Sequence, residues 1–251
     1  MSGDIKVIGG NAHPELARDI CKHLGIEQCQ SSVVKFSNEN LMVQIEENVR
    51  GADVFVIQPS CSPVSEGIVE LLITIDALKH ASADRITAVL PYFPDARSDK
   101  KDRPRISITA RLMADLLETA GANRVITMDL HSPQVQGFFR IPADQLLAAP
   151  ILCDYLRQNR DLSDYVLVAG DVGESKEVGN YANRLNLPIA IVDKRRYGDD
   201  EKAMATNLIG DVEVKTALII DDEIASGGTM MEATRFVLDR GATAVEAACV
   251  H

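Results

Sequence analysis

The stretch "TALIIDDEIASGGTMMEA", Thr216 to Ala233, holds the residues whose types and spacing have the clearest chemical use. An apolar run ends in two adjacent acids, Asp221 and Asp222; Ala225, Ser226, Gly227, Gly228 and Thr229 follow shortly after. Gly227 and Gly228 can take positive φ and let backbone N–H groups approach a ligand closely. Thr229 then starts a helix, whose first turn favours anions. Residues 225–229 therefore read as a phosphate cradle without the lysine of a Walker motif. The two carboxylates do not suit the same phosphate, because like charges repel. They suit sugar hydroxyls, or a Mg2+ shared with those hydroxyls. A phosphate at one end and a diol at the other describe a ribose 5-phosphate. The plainer alternative is an acidic strand end followed by an ordinary glycine turn.

Such residues need a scaffold that brings strand ends together. Short Val- and Ile-rich runs, "IKVIGG", "DVFVIQP", "RITAVLPY", "RVITMDLH", "YVLVAGD", "PIAIVDK" and "TALIIDD", alternate with segments that carry apolar residues three and four apart. Several of the runs are apolar without alternation, as strands buried on both faces are. The longer segments, such as "SEGIVELLITIDALKHA" and "SITARLMADLLETAG", read as helices, and "VVKF" with "LMVQIEENV" reads as an extra strand pair. The class is α/β, with mainly parallel sheets flanked by helices. The pattern runs twice: one block ends near "FFRIPADQLLAAP" and a second starts with "ILCDYLRQ", which places domains at 1–146 and 147–251. Ligands of parallel α/β sheets sit at the carboxyl ends of the strands. Those ends carry Pro59 and Ser60, Arg97, Asp129 and His131, Asp171, Lys194, and the Asp221–Asp222 pair. Acids, bases and a histidine together have the composition of a site.

Bulk properties narrow the classes. The chain has 251 residues, 46% of them hydrophobic, and a net charge of −11. An acidic balance argues against a general nucleic-acid binder, whose footprint is basic. Five cysteines, an odd number with no CxxC pair, read as reduced thiols of a cytoplasmic protein. No apolar run reaches membrane length, and no basic-then-apolar leader opens the sequence, so neither a membrane nor a nucleic acid is an expected partner.

The phosphate cradle resembles the PRPP loop of type I phosphoribosyltransferases. Further segments, "FSNENLMVQIEENVRGADVFVIQPS", "LPYFPDARSDKKDRPRISITARLMADLLETAG", "ITMDLHSPQVQGFFRIPADQL" and "IVDKRR", resemble the ribose-phosphate pyrophosphokinase (PRPP synthetase) family, in that family's order and along the whole chain. The resemblance implies two type I phosphoribosyltransferase-like domains. It implies transfer of pyrophosphate from Mg-ATP to the anomeric hydroxyl of ribose 5-phosphate, giving PRPP and AMP for nucleotide biosynthesis. It also implies Mg2+ as cofactor and a dimer-based homo-oligomer, with a hexamer expected.

Residue roles follow from the same resemblance. Phe36, Asn38 and Asn40 match the adenine-facing segment that a neighbouring subunit supplies; the family commonly has "FSDGE" there, and this chain has "FSNEN". Arg97 matches a nucleotide-binding arginine, followed by Ser98 where glutamine is common. His131 matches a magnesium-associated histidine beside the triphosphate; taken alone, a strand-end histidine is more often structural. Its spacing from Asp129 would put both on one face of a strand. Asp171 matches a second magnesium ligand, although the "VGESKEVGN" that follows departs from the family's Gly- and Arg-rich sequence. Lys194 and Arg196 match the catalytic loop, and "GDDEKA" after them reads as a mobile charged segment. Asp221, Asp222 and residues 225–229 match the ribose 5-phosphate site. Two rivals stand beside this reading: a PRPP-consuming phosphoribosyltransferase and a non-catalytic partner of a PRPP synthetase. Because the family continues past the strand at "AACVH", the second domain is expected to be incomplete at its C-terminus.

Overall fold

The computed structural model describes residues 3–171, 173–196 and 203–251, with side chains up to Asp193 and again from Asn207. Contacts divide the chain into two compact units, one ending at Leu146 and the other starting at Leu147.

The first unit is built on a five-stranded sheet in the order β1-β4-β5-β6-β7, all neighbours parallel. Its strands are β1 (Ile5–Gly9), β4 (Asp53–Ile57), β5 (Arg85–Leu90), β6 (Arg124–Met128) and β7 (Ala143–Leu146). A two-stranded antiparallel hairpin, β2 (Ser31–Lys35) and β3 (Leu41–Ile45), is inserted after the first helix. The helices are α1 (Pro14–Leu24), α2 (Val64–His80) and α3 (Thr109–Ala120). Helix α1 starts at Pro14, whose fixed φ suits a first helical position, and stops at Gly25, whose φ of 68° closes it in the left-handed region. Leu71, Ile75 and Leu78 on α2 pack with Val54, Val56, Ile86, Ala88 and Leu90 of the central strands in the main core of this unit.

The second unit carries a sheet in the order β10-β9-β8-β11-β12. Its strands are β8 (Tyr165–Ala169), β9 (Ile189–Arg196), β10 (Ala203–Ile209), β11 (Thr216–Asp221) and β12 (Ala244–Cys249), and its helices are α4 (Ala149–Asn159), α5 (Ser175–Leu185) and α6 (Gly228–Asp239). Strand β8 is buried along its whole length, as its unbroken apolar sequence predicts. Two clusters, one around Tyr181 and Leu218 and one around Val168 and Ile219, fill opposite faces of the sheet.

Three elements depart from the sequence reading. Strand β9 runs on through Lys194 to Arg196 and pairs antiparallel with β10, so Ala203 belongs to a strand where a mobile segment was expected. β10 is an edge strand, and its apolar sequence is broken by the adjacent Thr206 and Asn207. Strand β7, "ADQL", escapes pattern reading for the same reason: it is a four-residue edge strand with two polar residues. Helix α4 opens as "APILC", with proline in its first turn, where it costs no hydrogen bond.

Candidate active site

Both sheets present their strand ends as a set of loops, and most of the singled-out residues lie on them. In the second unit β11 carries Asp221 to the sheet end, directly beside Cys249 in the β11–β12 register. Asp222 N–H donates to Asp221 Oδ1 at 2.8 Å. Two backbone bonds extend the ladder past the strand: His251 N–H donates to the Asp222 carbonyl at 3.0 Å, and Ile224 N–H to the His251 carbonyl at 3.1 Å. The segment that leads into the cradle is thereby held in line with the sheet. Burial, then the adjoining Asp222, pushes the Asp221 carboxyl up to about 6. Burial, then Asp221, raises the Cys249 thiol in turn.

Past Ile224 the chain turns outward. Ala225, Ser226, Gly228 and Thr229 are exposed, and Gly227 sits at φ 75° just before α6. A side chain at 227 would be strained in that conformation. Among the described residues no side chain caps α6, so its first N–H groups stay available to an incoming anion. Helix α6 opens at Gly228, one residue before the expected Thr229.

Asp171 lies near the start of the turn between β8 and α5. Its Oδ1 accepts from Gly173 N–H at 2.6 Å and Glu174 N–H at 3.2 Å, and Glu174 Oε2 accepts from Gly170 N–H at 2.9 Å. These bonds close the turn that leads into α5, whose own N-cap, Glu174, makes no side-chain cap bond among the described residues. The D-x-x-E spacing is legible in "DVGE"; the part Glu174 plays in the turn is a finding of the structure. Asp171 Oδ2 takes part in neither bond. Lys194 and Arg196 lie on β9, with side chains outside the described residues.

In the first unit Phe36, Asn38 and Asn40 form the tip of the β2–β3 hairpin. Phe36 N–H donates to the Asn40 carbonyl at 2.9 Å, Asn40 N–H to Asn38 Oδ1 at 3.3 Å, and Glu39 takes a φ of 67°. The Phe36 ring is 47% exposed. Lys35 Nζ to Glu66 Oε2, at 2.6 Å, ties the tip end of the hairpin to α2.

The loops after β5 and β6 lie side by side, because those strands are neighbours. Arg97 is exposed on the first. Ser98 turns inward: its Oγ accepts from Thr109 N–H at 3.2 Å and its carbonyl from Ala110 N–H at 3.2 Å. It thus serves the start of α3, which the Ile108 side chain cannot cap. On the second loop the same-face expectation for Asp129 and His131 fails. Strand β6 ends at Met128, Asp129 turns to φ 38° and is buried, and His131 is exposed. The alternation of a strand no longer applies once the chain leaves the sheet. Among the described residues no group of three or more His, Cys, Asp or Glu side chains is placed to hold a metal ion.

The N-terminal domain model of ribose phosphate pyrophosphokinase matches residues 5–121, and the phosphoribosyl transferase domain model matches residues 157–251. The chain is 48% identical over 252 residues to the ribose-phosphate pyrophosphokinase of Clostridium perfringens, with 100% of this chain and 79% of that protein covered. The chain belongs to the ribose-phosphate pyrophosphokinase family. The Bacillus subtilis relative is 46% identical over 248 residues, covering 99% of this chain and 78% of its own length. The crystal structure of phosphoribosylpyrophosphate synthetase from Mycobacterium smegmatis superposes with a TM-score of 0.91 at 39% identity, covering 98% of this chain and 82% of that one. Membership accounts for the doubled α/β pattern and for the glycine cradle placed after an acidic strand end.

Proposed function

We propose that this chain is a ribose-phosphate pyrophosphokinase that forms PRPP and AMP from ATP and ribose 5-phosphate. The observation that carries the reading is likeness to curated relatives of that name along the whole chain, 48% identical in the Clostridium perfringens case. A PRPP-consuming transferase would need the cradle but not the first unit, and the match to residues 5–121 lies wholly in that unit. A non-catalytic partner would not need both the cradle and the lysine-bearing strand.

In this reading residues 225–229 grip the 5-phosphate, and Asp221 and Asp222 receive the ribose hydroxyls. Phe36, Asn38 and Asn40 face the adenine, Arg97 and His131 hold the triphosphate, and Lys194 and Arg196 stand over the β-phosphate. The anomeric oxygen forms a bond to the β-phosphorus while the bond from that phosphorus to the oxygen bridging it to the α-phosphate breaks. AMP leaves, and the hydroxyl proton is released. Little covalent help is required; placed cations and fixed geometry supply most of the rate.

The residues fit Mg2+. This ion keeps several waters and takes one or two protein ligands beside substrate phosphates. Among the described residues no three-carboxylate cage is found, and a substrate-shared ion needs none; Asp171 Oδ2 in the second unit and His131 in the first are each assigned as a Mg2+ ligand. Bound there, the ion supplies charge neutralisation on the polyphosphate.

The exposed Phe36 at a hairpin tip supports a shared adenine pocket in a dimer-based homo-oligomer, a hexamer in its full form. The cytoplasm is the compartment assigned. No helix among the described residues is long and apolar enough to cross a membrane. A coupled assay for AMP formed from ATP and ribose 5-phosphate tests the reading; equal amounts of AMP and PRPP are expected, and ADP as the nucleotide product would refute it.

A further inference from the structure

Ser132 stands at the N-cap of the short 3-10 segment Pro133–Phe138, where a serine hydroxyl ordinarily bonds its own helix. Here it caps no backbone N–H of that segment. The Oγ lies 2.6 Å from Asp99 Oδ2 and 2.8 Å from Gln134 Oε1, and the residue is only 9% exposed. A hydroxyl has one proton to give. The shorter contact is that of a charge-assisted O–H···O bond, so the proton goes to Asp99. The amide of Gln134, turned about its last bond, completes a relay with its N–H on the serine oxygen. The link joins two loops 33 residues apart in sequence: Asp99 is two residues from Arg97, and Ser132 is next to His131.

Both loops carry a left-handed aspartate nearby. Asp95 and Asp129 hold φ values of 54° and 38°, which non-glycine residues keep only when their surroundings enforce them. Backbone bonds fix the roots of the loops, through Met128 N–H to the Pro91 carbonyl at 3.1 Å and Asp129 N–H to the Leu146 carbonyl at 3.0 Å. Further out, the Asp99–Ser132 bond is a direct tie between them.

We propose that Asp99 and Ser132 form a latch that sets the spacing of the Arg97 and His131 loops, and so act as positioning residues for the nucleotide's polyphosphate. The proposal rests on the nucleotide roles given above to Arg97 and His131. Its test is a double-mutant cycle with Ser132→Ala, Asp99→Ala and the pair, with KM measured separately for ATP and for ribose 5-phosphate. Each single variant should raise KM for ATP roughly tenfold and leave KM for ribose 5-phosphate within about twofold, as expected for one lost bond to a charged partner. The double variant should be no worse than the more affected single one, because the two residues share one interaction. An unchanged KM for ATP, an equal rise for both substrates, or effects that multiply would overturn the latch. Hydrogen exchange gives a readout that needs no activity: amides of residues 95–99 and 129–135 should exchange faster in Ser132→Ala, and unchanged exchange would also overturn it. A parent protein that makes no AMP would sink the functional reading, while the exchange result would still decide the latch.

Discussion

Replacing Asp221 by asparagine tests the electrostatics of the ribose end. Burial and the adjoining Asp222 hold this carboxyl near 6, so it is neutral in mild acid and ionised above neutrality. A group titrating at about 6 is roughly one-tenth ionised at pH 5 and nine-tenths at pH 7. If the ionised form receives the ribose hydroxyls, KM for ribose 5-phosphate falls about tenfold across that interval on this account alone. The substrate's phosphate also titrates near pH ~6 and adds its own slope. The ratio of KM in Asp221→Asn to KM in the parent cancels the substrate's part. That ratio should be about one at pH 5, where the parent's carboxyl is itself neutral, and approach tenfold by pH 7.5. Stability should move the other way. A carboxyl raised in the folded state contributes stability below its unfolded value, and that stability is lost as pH rises through about 6. Asp221→Asn should therefore melt with the parent at pH 4 and above it at pH 8, by of order 1 kcal/mol once solvent screening is allowed for. A KM ratio that does not change with pH would refute the reasoning.

Lys194→Ala should lower kcat by orders of magnitude with KM for both substrates nearly constant, as loss of a transition-state contact requires; a change confined to KM would make it a binding residue. At the hairpin tip Asn38 Oδ1 accepts from Asn40 N–H, which leaves the amide's N–H groups as the donors it can offer a base. An amide N–H can donate to the carbonyl of guanine that a carboxylate would repel, so Asn38→Asp with Asn40→Glu should raise the preference for ATP over GTP by one to two powers of ten, or about 1–3 kcal/mol, read from the ratio of kcat/KM values. Ile75, fully buried on α2, should cost about 2–5 kcal/mol on substitution by alanine in chemical denaturation, with an unchanged m-value.

Much of this architecture was legible as pattern, because parallel strands buried on both faces leave unbroken apolar runs. The β8 sequence "YVLVA" and the β11 sequence "TALIID" announce themselves in that way. Edge strands β7 and β10 do not: one of their sides faces no neighbour, so nothing forces an apolar sequence on them. The cradle was visible because glycine at 227 answers a backbone demand that no other residue meets cheaply. The second carboxylate of the "DVGE" turn was also visible in principle. Other features were not. Ser98 bonding the start of α3, and Ser132 reaching Asp99, are contacts between residues far apart in sequence, and a serine's one hydroxyl gives no sign of which partner it will take. The turn at Asp129 was hidden for a related reason: an aspartate tolerates positive φ without requiring it, so the end of β6 leaves no mark in "TMDLH".

The central claim is that the β-phosphorus of ATP, not the γ-phosphorus, is the atom attacked. ATP labelled at the β-phosphate, incubated with Mg2+, ribose 5-phosphate and the protein, reports on this directly. The account predicts that the label leaves with the pyrophosphoryl group and appears in PRPP, with AMP unlabelled and equal in amount. Label retained in ADP, beside a singly phosphorylated C1 of the sugar, would mean ordinary γ-phosphoryl transfer and would contradict it.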